Sequence, residues 1–142
     1  MRSLCRPALP LLILLAGLVG CQKRERYEGK SILGLLAPGV PGPARTAAQK
    51  TWIDFARQAE VIEKAWSRSG EKDRTRSDLV VEDGGDGTLV MRVRTLDASL
   101  SSSLATAWAQ ILQDHALGAA RTNPALALTV IELGDTGMEP VP

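Results

Sequence analysis

The chain has 142 residues, 44% of them hydrophobic and 4% aromatic, with 17 Lys and Arg against 16 Asp and Glu for a formal net charge of +1. That balance lacks the basic excess that a nucleic-acid partner requires, and the length suits a single domain. Two cysteines, Cys5 and Cys21, are too few for a disulfide framework, and His115 as the sole histidine excludes a multi-histidine zinc site.

At the N-terminus, Arg2 and Arg6 form a positive n-region and Ala8 to Val19 an apolar h-region that ends in small Gly20. The apolar run is about a dozen residues where a bilayer-spanning helix needs roughly 20, which favours a cleaved signal over a transmembrane anchor. Leu18-Val19-Gly20-Cys21 follows directly and resembles the lipobox of bacterial lipoproteins. The resemblance implies that residues 1–20 are a signal peptide to be removed. It further implies that the Cys21 thiol carries a diacylglyceryl group and that fatty acyl chains such as palmitate anchor the protein. Gln22 stands where an Asp would favour retention at the inner membrane, so the resemblance implies an outer-membrane location facing the periplasm. Without residues 1–20, 122 of the 142 residues remain, and loss of Arg2 and Arg6 leaves 15 basic residues against 16 acidic ones. Such a chain has no disulfide to make and must rely on a packed core. Two or three acyl chains, at about 0.8 kcal/mol per buried methylene, make attachment effectively permanent.

Residues 21–45 read as the lipidated terminus and a tether. The segment opens with charge at Lys23, Arg24, Glu25 and Arg26 and closes on Gly39-Val40-Pro41-Gly42-Pro43, which resists regular structure. Inside it, the apolar patch Ser31 to Ala37 either lies on the bilayer or packs back on the domain. The domain itself spans residues 46–133. Thr46 with Gln49 predicts a capping box for a long helix closed by Gly70. Ala48, Trp52, Phe55, Ala59, Ile62 and Trp66 alternate steps of four and three, which forms one apolar stripe to be buried. A polar connector from Ser67 to Asp78 follows, its basic residues Arg68, Lys72, Arg74 and Arg76 offset by interleaved acids.

Leu79 to Glu82 and Thr88 to Leu96 predict a β-hairpin over the glycine-rich turn, with Gly87 at positive φ. The implied register pairs Val81 with Met91 and Leu79 with Val93 on one face, and Val80 with Arg92 and Asp78 with Arg94 on the other, the last as an exposed ion pair. A second helix runs from Asp97 or Ser99 to Gly118, and Leu126 to Leu133 reads as a third strand after the Asn123-Pro124 turn. Residues 134–142 read as a disordered tail. The predicted class is therefore α+β, two helices on one face of a three-stranded sheet in the order αββαβ, with the second helix as crossover. That order is similar to BON domains, which occur in periplasmic and outer-membrane lipoproteins and are associated with phospholipid membranes.

Three sets of residues invite a chemical reading. Gly84-Gly85-Asp86-Gly87-Thr88 resembles, as a string, the phosphate-holding loop of diacylglycerol and NAD kinases. There the loop opens a helix, whereas here a strand pattern follows, so the turn reading is preferred. Asp83 and Asp86 lack the further oxygen ligands that Ca²⁺ requires. His115 has no cysteine or nucleophile elbow to work with, and Trp52, Trp66 and Trp108 fall on core stripes. No catalytic, metal or cofactor residue is assigned. The expectation is a non-enzymatic, membrane-anchored envelope lipoprotein that binds a protein partner or lipid headgroups. The alternatives are a structural subunit of an envelope complex and a small hydrolase or nucleotide-binding enzyme built on His115 or the Gly84 to Thr88 loop.

Overall fold

The computed structural model describes residues 26–36, 41–70, 74 and 77–138. The signal peptide and Leu18, Val19, Gly20 and Cys21 lie outside the described residues, as does the end of the predicted tail from residue 139.

The class is α+β, and its centre is a strand where a tether was expected. β1, Tyr27–Leu35, turns Gly29, Ser31, Leu33 and Leu35 inward, with Glu28, Lys30 and Ile32 on the opposite side. The apolar patch around Ile32 to Leu35 thus packs back on the domain. Four strands make one sheet with β2 (Asp78–Gly85), β3 (Thr88–Thr95) and β4 (Leu128–Met138), in the spatial order β2-β3-β1-β4. Each neighbouring pair is antiparallel, and β1 is hydrogen-bonded to β3 on one side and β4 on the other. Two corrections follow: the sheet has four strands rather than three, and Gly134 to Met138 continue β4 instead of forming a disordered tail.

Among the described residues three α-helices accompany the sheet: α1 (Gly42–Ala56), α2 (Ala59–Ser69) and α3 (Ala98–Ala119). The order β-α-α-β-β-α-β with β1 seated between β3 and β4, and β3 between β1 and β2, interlocks two split βαβ units, the ferredoxin-like connectivity. The crossover α3 therefore carries the chain past β1, and β4 lies beside β1 rather than beside the hairpin.

The predicted long helix is two helices, and the Thr46 capping box is not formed. Pro43 is tolerated in the first turn, so α1 starts at Gly42. Gln49 is buried and donates to Asp83 and Thr88 instead of capping. At Gln58 the backbone turns extended (φ −64°, ψ 136°), and Arg57 donates to the Val81 carbonyl at 3.2 Å. An unbroken helix over residues 46–69 would measure about 36 Å and overhang strands of about 26 Å. The break lets both pieces lie on the sheet. Their buried stripes accordingly differ, Ala48, Trp52 and Ala56 on α1 and Val61, Ala65 and Trp66 on α2. Gly70 closes α2 at φ 77°, as expected.

The hairpin has the register read from the sequence: Val81 pairs with Met91, Leu79 with Val93, Val80 with Arg92 and Asp78 with Arg94. Asp86 and Gly87 turn the chain at φ 51° and 75°, and a bulge at Gly85 (φ 82°) precedes them. Asp97 caps α3 by accepting the Ser99 amide at 2.9 Å. Leu33, Leu89, Met91, Val93 and Val81 from the sheet meet Trp52, Trp66, Trp108, Leu104, Ile111 and Leu112 in one core. Trp52 and Trp108 donate their indole N–H to the carbonyls of Leu126 (3.0 Å) and Ala56 (3.1 Å). Core packing, not sugar stacking, occupies all three tryptophans.

α3 approaches β1 and β4 more closely than leucine-sized side chains permit. Ser31 Oγ donates to the Ala105 carbonyl and accepts the Gly134 amide, both at 3.0 Å, while Ser102 Oγ donates to the Gly134 carbonyl at 2.7 Å. Ser101 Oγ lies 2.9 Å from the Tyr27 carbonyl oxygen and 2.7 Å from Thr95 Oγ1. A Cβ on Gly29 would sit 2.1 Å from the Ser101 carbonyl oxygen and 2.4 Å from its carbon, backbone atoms that cannot swing aside. Gly29→Ala is therefore expected to lower stability by about 3 kcal/mol or more. Gly137→Ala, where a Cβ meets nothing within 4 Å, is expected to change it by under about 0.5 kcal/mol. Urea unfolding midpoints of the two variants check the contrast; equal midpoints would remove the close-approach account.

Candidate functional site

The residues singled out for chemistry divide between opposite ends of α1. Near its start, Arg45 donates to the Asp86 carbonyl at 3.2 Å and its guanidinium lies over Gly87. One turn on, Gln49 Nε2 donates to Asp83 Oδ1 (2.6 Å) and to the Thr88 carbonyl (2.8 Å). Asp83 also accepts the Gly85 amide at 2.7 Å, and Thr88 Oγ1 donates to the Gly85 carbonyl at 2.6 Å. The Asp86 and Thr88 carbonyls and the Asp83 carboxylate thus hold the hairpin turn against a helix, and the Gly85 amide pins Asp83. Near the other end, the ring of Phe55 lies 4.6 Å from that of exposed His115. Ten residues of helix, about 15 Å, separate Arg45 from Phe55, so His115 and Asp86 do not share a cleft. Among the described residues no group of three His, Cys, Asp or Glu side chains is placed to hold a metal ion, and no helix is long and apolar enough to cross a membrane.

Among the described residues, one face of the sheet carries no helix. Its composition follows from the strand period of two: residues alternate with the buried Leu33, Leu89, Met91, Val93 and Val81. Glu28, Lys30 and Ile32 come from β1, Thr88, Val90, Arg92 and Arg94 from β3, and Asp78, Val80 and Glu82 from β2. On β4 the register slips twice against β1. There Thr129 and Ile131 reach the space over Gly34, and Glu132 lies 3.7 Å from Lys30.

Charges on this face are paired across strands rather than along them. Arg92 donates to Glu82 (2.7 Å) and Glu28 (2.8 Å), and Arg94 donates to the other oxygen of Glu28 (3.0 Å). Glu28 is the most enclosed of these carboxylates, 12% exposed beneath its two arginines. The hydrogen bond with Glu82, then that with Glu28, raises the Arg92 guanidinium above its ordinary value against the opposing effect of partial burial. At the edge, Arg26 contacts Asp78 at 2.7 Å. Ile32 pairs with Val90, and in register that pair has Glu82 on one side and Glu132 on the other. Val80 (40% exposed) stands opposite Arg92 and Ile131 (57%) beside Gly34, so aliphatic and charged side chains interleave across the face. The hairpin register in the sequence puts Val80, Arg92, Asp78 and Arg94 on one polar face, whereas Glu28, Lys30 and Ile32 stand in a segment whose composition reads as tether. The alternation of Glu28 and Lys30 with Gly29 and Ser31 was the available signal.

A smaller charged cluster lies on α2, where Arg74 spans both carboxylate oxygens of Glu63 and stacks 5.1 Å over the Trp66 ring. The hydrogen bond from Arg74 lowers the Glu63 pKa, helped by its charge and opposed by desolvation. Because the folded value is the lowered one, the pair's stabilising effect is present above the ordinary carboxylate range and is lost as pH falls through the folded value. Both groups are exposed, so the effect on global stability is small; the titration itself is the clean readout. In an Arg74→Ala variant the Glu63 carboxyl resonance is expected to titrate at higher pH than in the unaltered protein, and an unmoved curve would contradict the pairing. Compared with known proteins, the chain matches no family model and no curated protein.

Proposed function

We propose that this chain is a non-enzymatic lipoprotein of the cell envelope, tied to the outer membrane through acylated Cys21, whose domain binds a protein partner on its helix-free sheet face. The attachment rests on Leu18-Val19-Gly20-Cys21 after an apolar segment of signal-peptide length. The observation that carries the partner reading is the composition of that face: four aliphatic side chains, Ile32, Val90, Val80 and Ile131, interleaved with charges whose positions are fixed by mutual pairing. Apolar contact area mixed with polar groups suits a protein surface.

Lipid headgroups suit the same face less well. Arg26, Lys30, Arg92 and Arg94 stand against Glu28, Asp78, Glu82 and Glu132, so there is no excess of positive charge to draw the face to anionic lipid. The enzyme alternative needed His115 and Asp86 in one cleft, and the length of α1 between their contacts speaks against it. A structural subunit remains a special case of the same reading, with the partner a component of an envelope complex.

Two measurements test the two parts. Metabolic labelling with a fatty-acid analogue is expected to mark the wild type and leave Cys21→Ser unlabelled and released from the membrane fraction; a Cys21→Ser product that still pellets with acyl label sinks the anchor. A photo-crosslinking residue at Val80 or Ile131 in the membrane-bound protein is expected to give a discrete protein adduct. The same residue at Lys64, on the exposed side of α2, is expected to give none. Adducts from Lys64 alone would place the partner elsewhere.

A further inference from the structure

We infer that the lipid anchor holds the domain upright on the bilayer, with the end of the sheet where β1 begins resting on the headgroups and the Asp86 turn pointing away. The inference depends on Cys21 being acylated. Beyond that, it needs only the position of β1 in the fold.

If residues 21–45 formed a tether, the domain would hang from about two dozen residues and take any orientation. Because β1 starts at Tyr27, only Gln22 to Arg26 separate the anchored residue from the central strand. Six residue steps span at most about 20 Å. From Tyr27, paired with Thr95, to Gly34, paired with Thr88, the sheet extends seven residues, about 23 Å. For the turn end to touch the headgroups with the strands upright, the link would have to reach farther than its full length. The end at Tyr27 needs no such extension.

Several described groups lie at the lower end by virtue of their partners. Asp78 begins β2 and contacts Arg26 at 2.7 Å. α3 also starts there, since Ser101 touches the Tyr27 carbonyl, and its first turn carries exposed Ser99. At the upper end are Leu36, just after β1, and Leu117, in the last turn of α3, which are 54% and 69% exposed. With its strands rising from the membrane, the helix-free face looks sideways along the bilayer, toward proteins held in the same layer.

The lipidated wild-type chain offers a direct test, because its mature form carries no thiol other than the acylated Cys21. Ser99→Cys and Leu117→Cys, each labelled with a fluorescent donor, are reconstituted into vesicles of phosphatidylethanolamine and phosphatidylglycerol bearing an acceptor on the headgroups. Energy transfer from Ser99→Cys is expected to exceed that from Leu117→Cys by about twofold or more, given the ~20 Å difference in height. Inserting a dozen Gly and Ser residues after Gln22 is expected to bring the two signals together. Equal or reversed transfer in protein that floats with the vesicles overturns the orientation while leaving the anchor intact. Protein that carries no acyl chain and does not float overturns the anchor reading, and the orientation with it.

Discussion

The backbone of α3 lies almost in contact with the backbone of β1, and the rest of the architecture is arranged around that approach. Gly29 supplies the space, with no room for a methyl group against the Ser101 carbonyl. Ser31 and Ser101 turn the same narrow gap into hydrogen bonds that tie β1 to α3 and, through the Gly134 amide, to β4. Buried hydroxyls are tolerable there because each finds a partner. With α3 so close, the large side chains on either side of the seam, Leu33 and Met91 on the sheet and Leu104, Trp108 and Ile111 on the helix, meet in one buried core. Gly134 answers the same demand on β4: at φ 62° it bends the strand under Ser102 and Thr106, and its place is one of the two register slips against β1.

That seam also explains what the sequence did not disclose. Strands are recognised by aliphatic residues at every second position, and β1 offers Gly29 and Ser31 at the first two inward positions. Read linearly, Gly and Ser next to charged Lys30 and Glu28 look like linker. The hairpin was legible to the residue because Leu79, Val81, Leu89, Met91 and Val93 face a thick part of the core, where size and burial agree. The break at Gln58 was hidden for a different reason: helical periodicity runs through it almost in phase, and only the distance across the sheet demands that the chain bend. Gly134 to Met138 read as tail for want of apolar alternation, yet an edge strand needs only a partner for its backbone, which β1 provides. Of the candidate sites, the turn at Asp86 and the core roles of the tryptophans were readable from composition, whereas the charge network on the open face was not. It depends on β1 bringing Glu28 between Arg92 and Arg94.

The open face is chemically balanced rather than strongly charged. Surface ion pairs add little to stability, roughly 0 to 1 kcal/mol each, so the network's chief physical effect is to fix where positive and negative charges stand. A fixed mosaic of charged and aliphatic side chains favours discrimination among protein surfaces over bulk attraction.

The central position of β1 has a consequence for how the molecule comes into being. Its two neighbours, β3 and β4, begin some sixty and one hundred residues further along the chain, so when synthesis delivers β1 it has neither neighbour to pair with. Closing such long loops makes folding slow compared with helical domains of equal size. Through that interval the segment Ile32-Leu33-Gly34-Leu35-Leu36 is a sticky, unpaired ribbon, and Glu28 and Lys30 on one flank serve as gatekeepers against self-association. The domain is completed from its middle outward, and only when nearly its last residues arrive.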